Sequence, residues 1–214
     1  MTRRRSTTLL LAGLATIAAL LAGVLAGCGS GGADATAHSQ GAVDESAYAG
    51  GEATPPKTAP ELRLKNSLGE PVDLGEYEGK AVLVTFIYTH CPDVCPLIVS
   101  HLKTARAELG AKAKDLRIVA VSTDPQGDNP RTVARFLAEH GMTGKMQYLI
   151  GSPAELRKTW TDWGIVAKRA KTGRDLVEHS ALVYGIAADG RITTLYPANF
   201  DPSQIVHDVP LLEQ

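Results

Sequence analysis

Cysteine is scarce in this chain: three residues among 214, Cys28, Cys91 and Cys95. So few cannot build a disulfide framework for a domain of this size. Aromatic residues make up only 5% of the chain, no stripe interleaves them with basic residues, and the formal net charge is −1. A global basic field of the kind that holds nucleic acid is therefore excluded, and no nucleic-acid partner is expected. No internal repeat occurs. Long hydrophobic runs are confined to one, Leu9–Ala26, at the amino terminus. The remainder, within a composition that is 44% hydrophobic and 21% charged, suits one globular domain with a well-buried core.

The first 28 residues read as a targeting segment rather than as part of the fold. Arg3, Arg4 and Arg5 form a basic start, and the apolar run follows. It closes on Leu25-Ala26-Gly27-Cys28, which looks like a bacterial lipobox with Cys28 as the lipidated residue after cleavage. An uncleaved anchor is the competing reading, although a helix over the run would reach about 27 Å against a hydrocarbon core of roughly 30 Å. Both readings put the domain on the extracytoplasmic face of a membrane. Residues 29–60 are rich in Gly, Ala, Ser and Thr, carry Pro55, Pro56 and Pro60, and lack apolar periodicity. They read as a flexible linker of about 30 Å average span. His38, within it, reads as a solvated residue.

The folded domain is expected over 61–214, organised around Ala81–Pro96. Ala81–Tyr88 is a continuous apolar run of the kind that forms a strand buried on both faces. It delivers Thr89-His90-Cys91-Pro92-Asp93-Val94-Cys95-Pro96 to the carboxyl end of a central strand, where open α/β sheets place their sites. Before it, Leu62, Leu64, Val72 and Leu74 alternate around Ser67–Glu70 and predict a hairpin. After it, Ile98, Leu102, Ala105 and Leu109 mark one helical face, with the helix expected to start at Pro96 and stop at Gly110. Leu116–Val121 predicts a strand, Asn129-Pro130 opens a helix to His140, Met146–Ile150 is a short strand, and Ser152-Pro153 opens a helix holding Leu156, Trp160 and Trp163. His179–Ala187 and Arg191–Tyr196 read as strands joined at Asp189-Gly190, and Pro202–Leu212 as a last helix. The alternation predicts an α/β fold: a mixed sheet with helices on both faces, an added amino-terminal β-hairpin and an antiparallel edge.

In an oxidising compartment, one local cysteine pair reads as reactive or metal-binding rather than as a staple. Pro92 and Pro96 disfavour helical geometry at Cys91 and Cys95, which places the thiols in a tight loop at a helix amino terminus, where thiolate is favoured. Two thiolates with one imidazole would suit Cu(I), or Cu(II) with added ligands. His90 adjoins Cys91 but in extended chain points to the opposite side. His101, His140 and His207 fall in predicted helices. His179 opens a strand after the polar stretch Lys168–Glu178 and could approach a neighbouring loop, or could be a structural histidine.

The segment THCPDVCP, Thr89–Pro96, resembles a signature of the Sco/SenC family. STDPQGDNP, Ser122–Pro130, resembles that family's S-x-D-P-x-x-D-x-P, and EHSALVYGIAADGRI, Glu178–Ile192, its D-H-S-x-x-x-Y-x-x-x-x-x-G block. The resemblance runs from about Glu61 to the carboxyl terminus. It implies a thioredoxin-like fold, one copper ion per domain held by Cys91, Cys95 and His179, and a role in assembling the copper centre of cytochrome c oxidase subunit II or of another exported copper protein. It also implies a lipid-anchored protein at the bacterial cell membrane, acting as copper donor, thiol reductant or both. Asp93 and Asp124 match acidic positions of the motifs and read either as supports for the ligands or as turn residues. Glu178 stands where the family commonly has Asp. Tyr184 holds a family position that strand packing explains equally well. The competing class is a thiol–disulfide oxidoreductase using Cys91 and Cys95, against which stand a loop one residue longer than C-x-x-C and the lack of a proline in Val177–Ala181. A peroxidase would need an activating arginine, and none lies near Cys91 in sequence.

Overall fold

The computed structural model describes residues 47–169, 177–179 and 181–214. Cys28, the targeting segment, His38 and the first part of the expected linker lie outside the described residues. Four helices and ten strands are present among those described: β1 (Gly51–Thr58), β2 (Arg63–Asn66), β3 (Pro71–Asp73), β4 (Val82–Ile87), α1 (Val94–Leu109), β5 (Arg117–Ser122), α2 (Pro130–Glu139), β6 (Gln147–Ile150), α3 (Pro153–Asp162), β7 (Ala167–Arg169), β8 (Val177–His179), β9 (Leu182–Ile186), β10 (Arg191–Pro197) and α4 (Pro202–Leu212). Eight strands form one sheet in the order β1-β10-β9-β4-β5-β6-β2-β3, and β7 and β8 form a separate ladder.

The centre of the sheet is parallel. β4 pairs with β5 from Val82↔Arg117 to Ile87↔Ser122, and β5 pairs with β6 from Val119↔Gln147 to Val121↔Leu149. Every residue of β4 is buried, as a strand covered on both faces requires. Its side chains divide with period two. Val82, Val84 and Phe86 join the core under α3, together with Leu156, Trp160 and Trp163. Leu83 and Ile87 join the other core, beneath α1, α2 and α4. Antiparallel strands flank this centre, β9 on β4 and β2 on β6. The helix starts are those that the sequence marks: Asn129, Ser152 and Asp201 each close a capping box with proline in the first turn.

Three expectations change. First, the linker is shorter than 29–60, because Gly51–Thr58 is a strand. It pairs with β10 through Gly51↔Leu195 and Glu52↔Thr194, then Lys57↔Ile192 and Thr58↔Arg191. The register shift between these pairs spans Pro55 and Pro56, which have no N–H to donate and are tolerated on an edge strand. A buried carboxylate fastens the start of the segment: Asp208 accepts from Ala49 N–H at 2.7 Å, Gly50 N–H at 2.9 Å and the Tyr196 hydroxyl at 2.9 Å. Gly50 is required there, since a Cβ would overlap Thr194 and the Tyr196 ring. Second, His179–Ala187 is not one strand. β8 pairs with β7, through Ala167↔His179, whereas β9 pairs with β4 and β10. Third, α1 begins at Val94 rather than Pro96, so Cys95 lies in its first turn. Pro96 is accommodated because N–H groups of the first turn have no partner within the helix. Among the described residues no helix is long and apolar enough to cross a membrane.

Replacing Asp208 leaves one buried and one partly buried backbone donor and a tyrosine hydroxyl without their acceptor. Asp208→Ala is expected to cost about 2–4 kcal/mol in urea unfolding, at roughly 1–3 kcal/mol per stranded buried group with partial relaxation, and to expose 51–58 to protease. Unchanged stability and unchanged cleavage would remove the clamp from the account.

Candidate metal and thiol site

The parallel register puts two loops together. Thr123 N–H donates to the Ile87 carbonyl at 2.9 Å, one step beyond the β4–β5 ladder. The segment after β4, Thr89–Val94, therefore lies beside the segment after β5, Thr123–Asn129. Cys91 is 8% exposed and Cys95 fully buried, and no disulfide joins them. The chain turns sharply between them: Cys91 N–H donates to the Tyr88 carbonyl at 3.3 Å, and Cys95 N–H donates to Cys91 Sγ at 3.3 Å.

The two thiols are electrostatically unequal. Cys91 receives a hydrogen bond from the Cys95 thiol, and further ones from the backbone N–H groups of Asp93 and Cys95 and from the Tyr88 side chain. Against partial burial, which favours the neutral thiol, these donors pull its pKa down to about 5. Cys95, which gives its proton to that bond and is buried more deeply, is pushed up. The bond therefore favours a singly protonated pair, with thiolate at the outer cysteine. The Cys91 sulfur precedes α1 and accepts from Cys95 N–H in its first turn, and a helix amino terminus is a favourable place for such a charge.

The other sequence candidates fall as follows. Asp93 occupies the position before α1, but its side chain is exposed and makes no capping bond; its contribution to the thiols is its N–H. Asp124 is buried and organises its own turn: Oδ1 accepts from Gln126 N–H at 3.3 Å and its carbonyl accepts from Asp128 N–H at 2.9 Å. Gly127 closes that turn where no Cβ fits, because one would overlap the Asp124 carboxylate and press on His90. His90 is exposed and lies against this turn, with Nδ1 3.1 Å from Thr89 Oγ1. His101 stacks edge-on to Phe200, His140 tilts against Phe136, and His207 meets Asp208 at 2.7 Å. Tyr184 is part of an aromatic cluster with Phe86 and Trp163.

His179 and Glu178 are placed by their backbones in β8, opposite Ala167 and Lys168; their side chains lie outside the described residues. Val183 pairs with Thr85 and the Leu182 carbonyl accepts from Thr85 Oγ1 at 2.9 Å, so the chain entering β9 arrives at the end of the sheet from which Cys91 leaves. Ala167, the partner of His179, helps to line a 240 Å³ cleft with Thr123, Asp124 and Pro125. Among the described residues no three His, Cys, Asp or Glu side chains form a metal-sized group; the cysteines supply two donors.

Sequence reasoning missed Asp128. It fills the second Asp of the S-x-D-P-x-x-D-x-P block, which was the available signal, but its spacing alone does not distinguish it from a turn residue. Its carboxylate is buried and accepts four hydrogen bonds: from Thr89 N–H at 2.9 Å, Thr89 Oγ1 at 2.7 Å, Ser122 Oγ at 2.7 Å and the Tyr148 hydroxyl at 2.8 Å. Burial nevertheless outweighs these donors and pushes its pKa up.

The inequality of the thiols is directly measurable. The alkylation rate of Cys91 in the reduced protein is expected to reach half its plateau near pH 5, as thiolate forms. A midpoint near the ordinary thiol value of about 8.5 would contradict the hydrogen-bond arrangement at Cys91.

Residues 50–212 match the family model described as SCO1/SenC. The SCO1 protein homolog of Bacillus subtilis is 28% identical over 151 residues, 68% of this chain and 78% of that protein. The mitochondrial SCO2 homolog of Mus musculus is 26% identical over 155 residues, 70% of this chain and 60% of the mouse protein, so this chain spans less than two thirds of that relative. Among solved structures, apo Sco1 from Thermus thermophilus superposes with a TM-score of 0.67 at 29% identity, over 76% of this chain and 95% of that one. ScoI of Bradyrhizobium japonicum with copper bound gives 0.65 at 28%, over 73% and 99%. These likenesses bear out the thioredoxin-like mixed sheet expected from the sequence blocks. With its family match running from the start of β1 to the end of α4, the chain belongs to the SCO1/SenC family.

Proposed function

We propose that this protein is an extracytoplasmic copper chaperone, tethered to the membrane through Cys28. It binds one copper ion through Cys91, Cys95 and His179 and delivers it to subunit II of cytochrome c oxidase or to another exported copper protein. The observation that carries the reading is the thiol pair itself: two reduced cysteines at the end of the central strand, with Cys95 N–H donating to Cys91 Sγ at 3.3 Å and the Cys95 thiol hydrogen-bonded to the same sulfur. Soft thiolate ligands select copper over hard cations. The relative from Bradyrhizobium japonicum, solved with copper bound, supports the same metal. Copper entering the site displaces the remaining proton of the pair, and thiolates of the partner then replace Cys91 and Cys95 in turn. Oxidising the pair to a disulfide removes both sulfur ligands, which couples loading to redox state.

A second reading rests on the inequality of the thiols. Cys91 as thiolate can attack a partner disulfide, forming a mixed disulfide and releasing one partner thiolate. Cys95 then loses its proton to the released group and attacks Cys91, expelling the second partner thiolate. The partner is reduced by two electrons and the pair is left as a disulfide.

The readings differ at His179. Anaerobic copper titration of the reduced protein is expected to give one tight equivalent, lost in His179→Ala, while the variant keeps its rate of disulfide exchange. Cys95→Ser is expected to lose both. Full copper affinity in His179→Ala would overturn the ligand assignment, and wild-type protein that reduces disulfides but takes up no copper would leave the reductase alone.

A further inference from the structure

Asp128 carries more hydrogen bonds than its turn needs. Capping of α2 belongs to Asn129, whose side chain accepts from Arg131 and Thr132. The turn before it is organised by Asp124 and closed by Gly127. The Asp128 side chain serves neither. It points inward, and its four donors come from three strands or their ends: Thr89 just after β4, Ser122 at the end of β5 and Tyr148 in β6. Among the described residues no lysine or arginine pairs with it. A carboxylate buried without a cation is an unfavourable choice for stability alone. An apolar or amide side chain could fill the same volume.

Its contacts are concentrated on the thiol loop. Oδ1 accepts from both the N–H and the hydroxyl of Thr89, two residues before Cys91, so position and rotamer of that residue are fixed together. Oδ2 is held from the opposite side by Ser122 and by Tyr148, whose hydroxyl is also 3.3 Å from the Ile87 carbonyl. The chain leaving β4 is thus anchored to the ends of both neighbouring strands. Cys95 is held by the buried side of α1, whereas Cys91 belongs to the loop and depends on what holds Thr89.

We propose that Asp128 is a positioning residue for the thiol pair, its buried carboxylate fixing Thr89 so that Cys91 is presented to Cys95 at the separation at which both sulfurs close on one metal ion. The proposal rests on the copper reading above. Groups that orient metal ligands through hydrogen bonds are worth about 10–100-fold in metal affinity.

Asp208 supplies a control: another buried carboxylate, also held by backbone N–H groups and a tyrosine, in α4 with His207 beside it and clamping the amino-terminal segment. The experiment compares wild type, Asp128→Ala and Asp208→Ala by unfolding, anaerobic copper titration and hydrogen exchange of the Thr89–Cys95 amides. Both variants are expected to lose stability. Only Asp128→Ala is expected to lose copper affinity, by about 10–100-fold, and only it to exchange faster through the thiol loop. Should Asp128→Ala not fold, Thr89→Val removes the hydroxyl contact to Asp128, together with that to His90, keeps the N–H bond, and is expected to weaken copper binding in the same direction. Equal copper affinity and equal loop exchange in the two alanine variants would overturn the proposal. Wild-type protein that takes up no copper would overturn the metal reading instead, and the exchange comparison would still decide whether Asp128 holds the loop.

Discussion

Parallel pairing of β4 with β5 is the constraint on which the site depends. Two strands running the same way deliver their carboxyl ends to one edge, so the loops that follow must lie side by side. Here one loop carries Cys91 and runs into the first turn of α1 with Cys95, and the other carries Asp124, Gly127 and Asp128. The antiparallel β9 enters at the same end. The buried β4 is what makes the pairing rigid. All six of its residues are buried, and its alternate side chains belong to separate cores. A register slip of one residue would exchange those cores.

Within this frame the chemistry follows from competition between burial and hydrogen bonding. Burial disfavours thiolate at both cysteines. Cys91 escapes because the turn into α1 aims N–H groups at its sulfur and Cys95 lends its proton. Cys95, lacking an equal set of donors, holds that proton. The same competition at Asp128 goes the other way: four donors do not offset its burial. The site therefore combines a stabilised anion at the rim with a carboxylate beneath it that burial disfavours, and the two are joined through Thr89.

Local signals and long-range ones were not equally legible in the sequence. The central strand, the capping boxes at Asn129 and Ser152 and the turn at Asp189-Gly190 are encoded within a few residues, and the structure has them where the sequence marks them. β1 is not encoded that way. Its Gly, Thr and Pro content is that of a linker, and it becomes a strand because β10 offers an edge and Asp208 a clamp more than 150 residues away in sequence. The break between β8 and β9 has a similar origin: continuity of apolar character does not reveal that the partner changes. Cys91 and Cys95 were legible because few residue types can do their chemistry. Asp128 was not, because an aspartate in a turn looks the same whether its carboxylate faces water or the interior.

The central claim is that Cys91 and Cys95 act together on one copper ion with His179. X-ray absorption at the copper edge of anaerobically loaded protein tests it most directly, because it counts ligand atoms by type. The account predicts two sulfur neighbours and one imidazole nitrogen around each copper, with the nitrogen lost in His179→Ala. Copper surrounded by nitrogen and oxygen alone, or by a single sulfur, would contradict it.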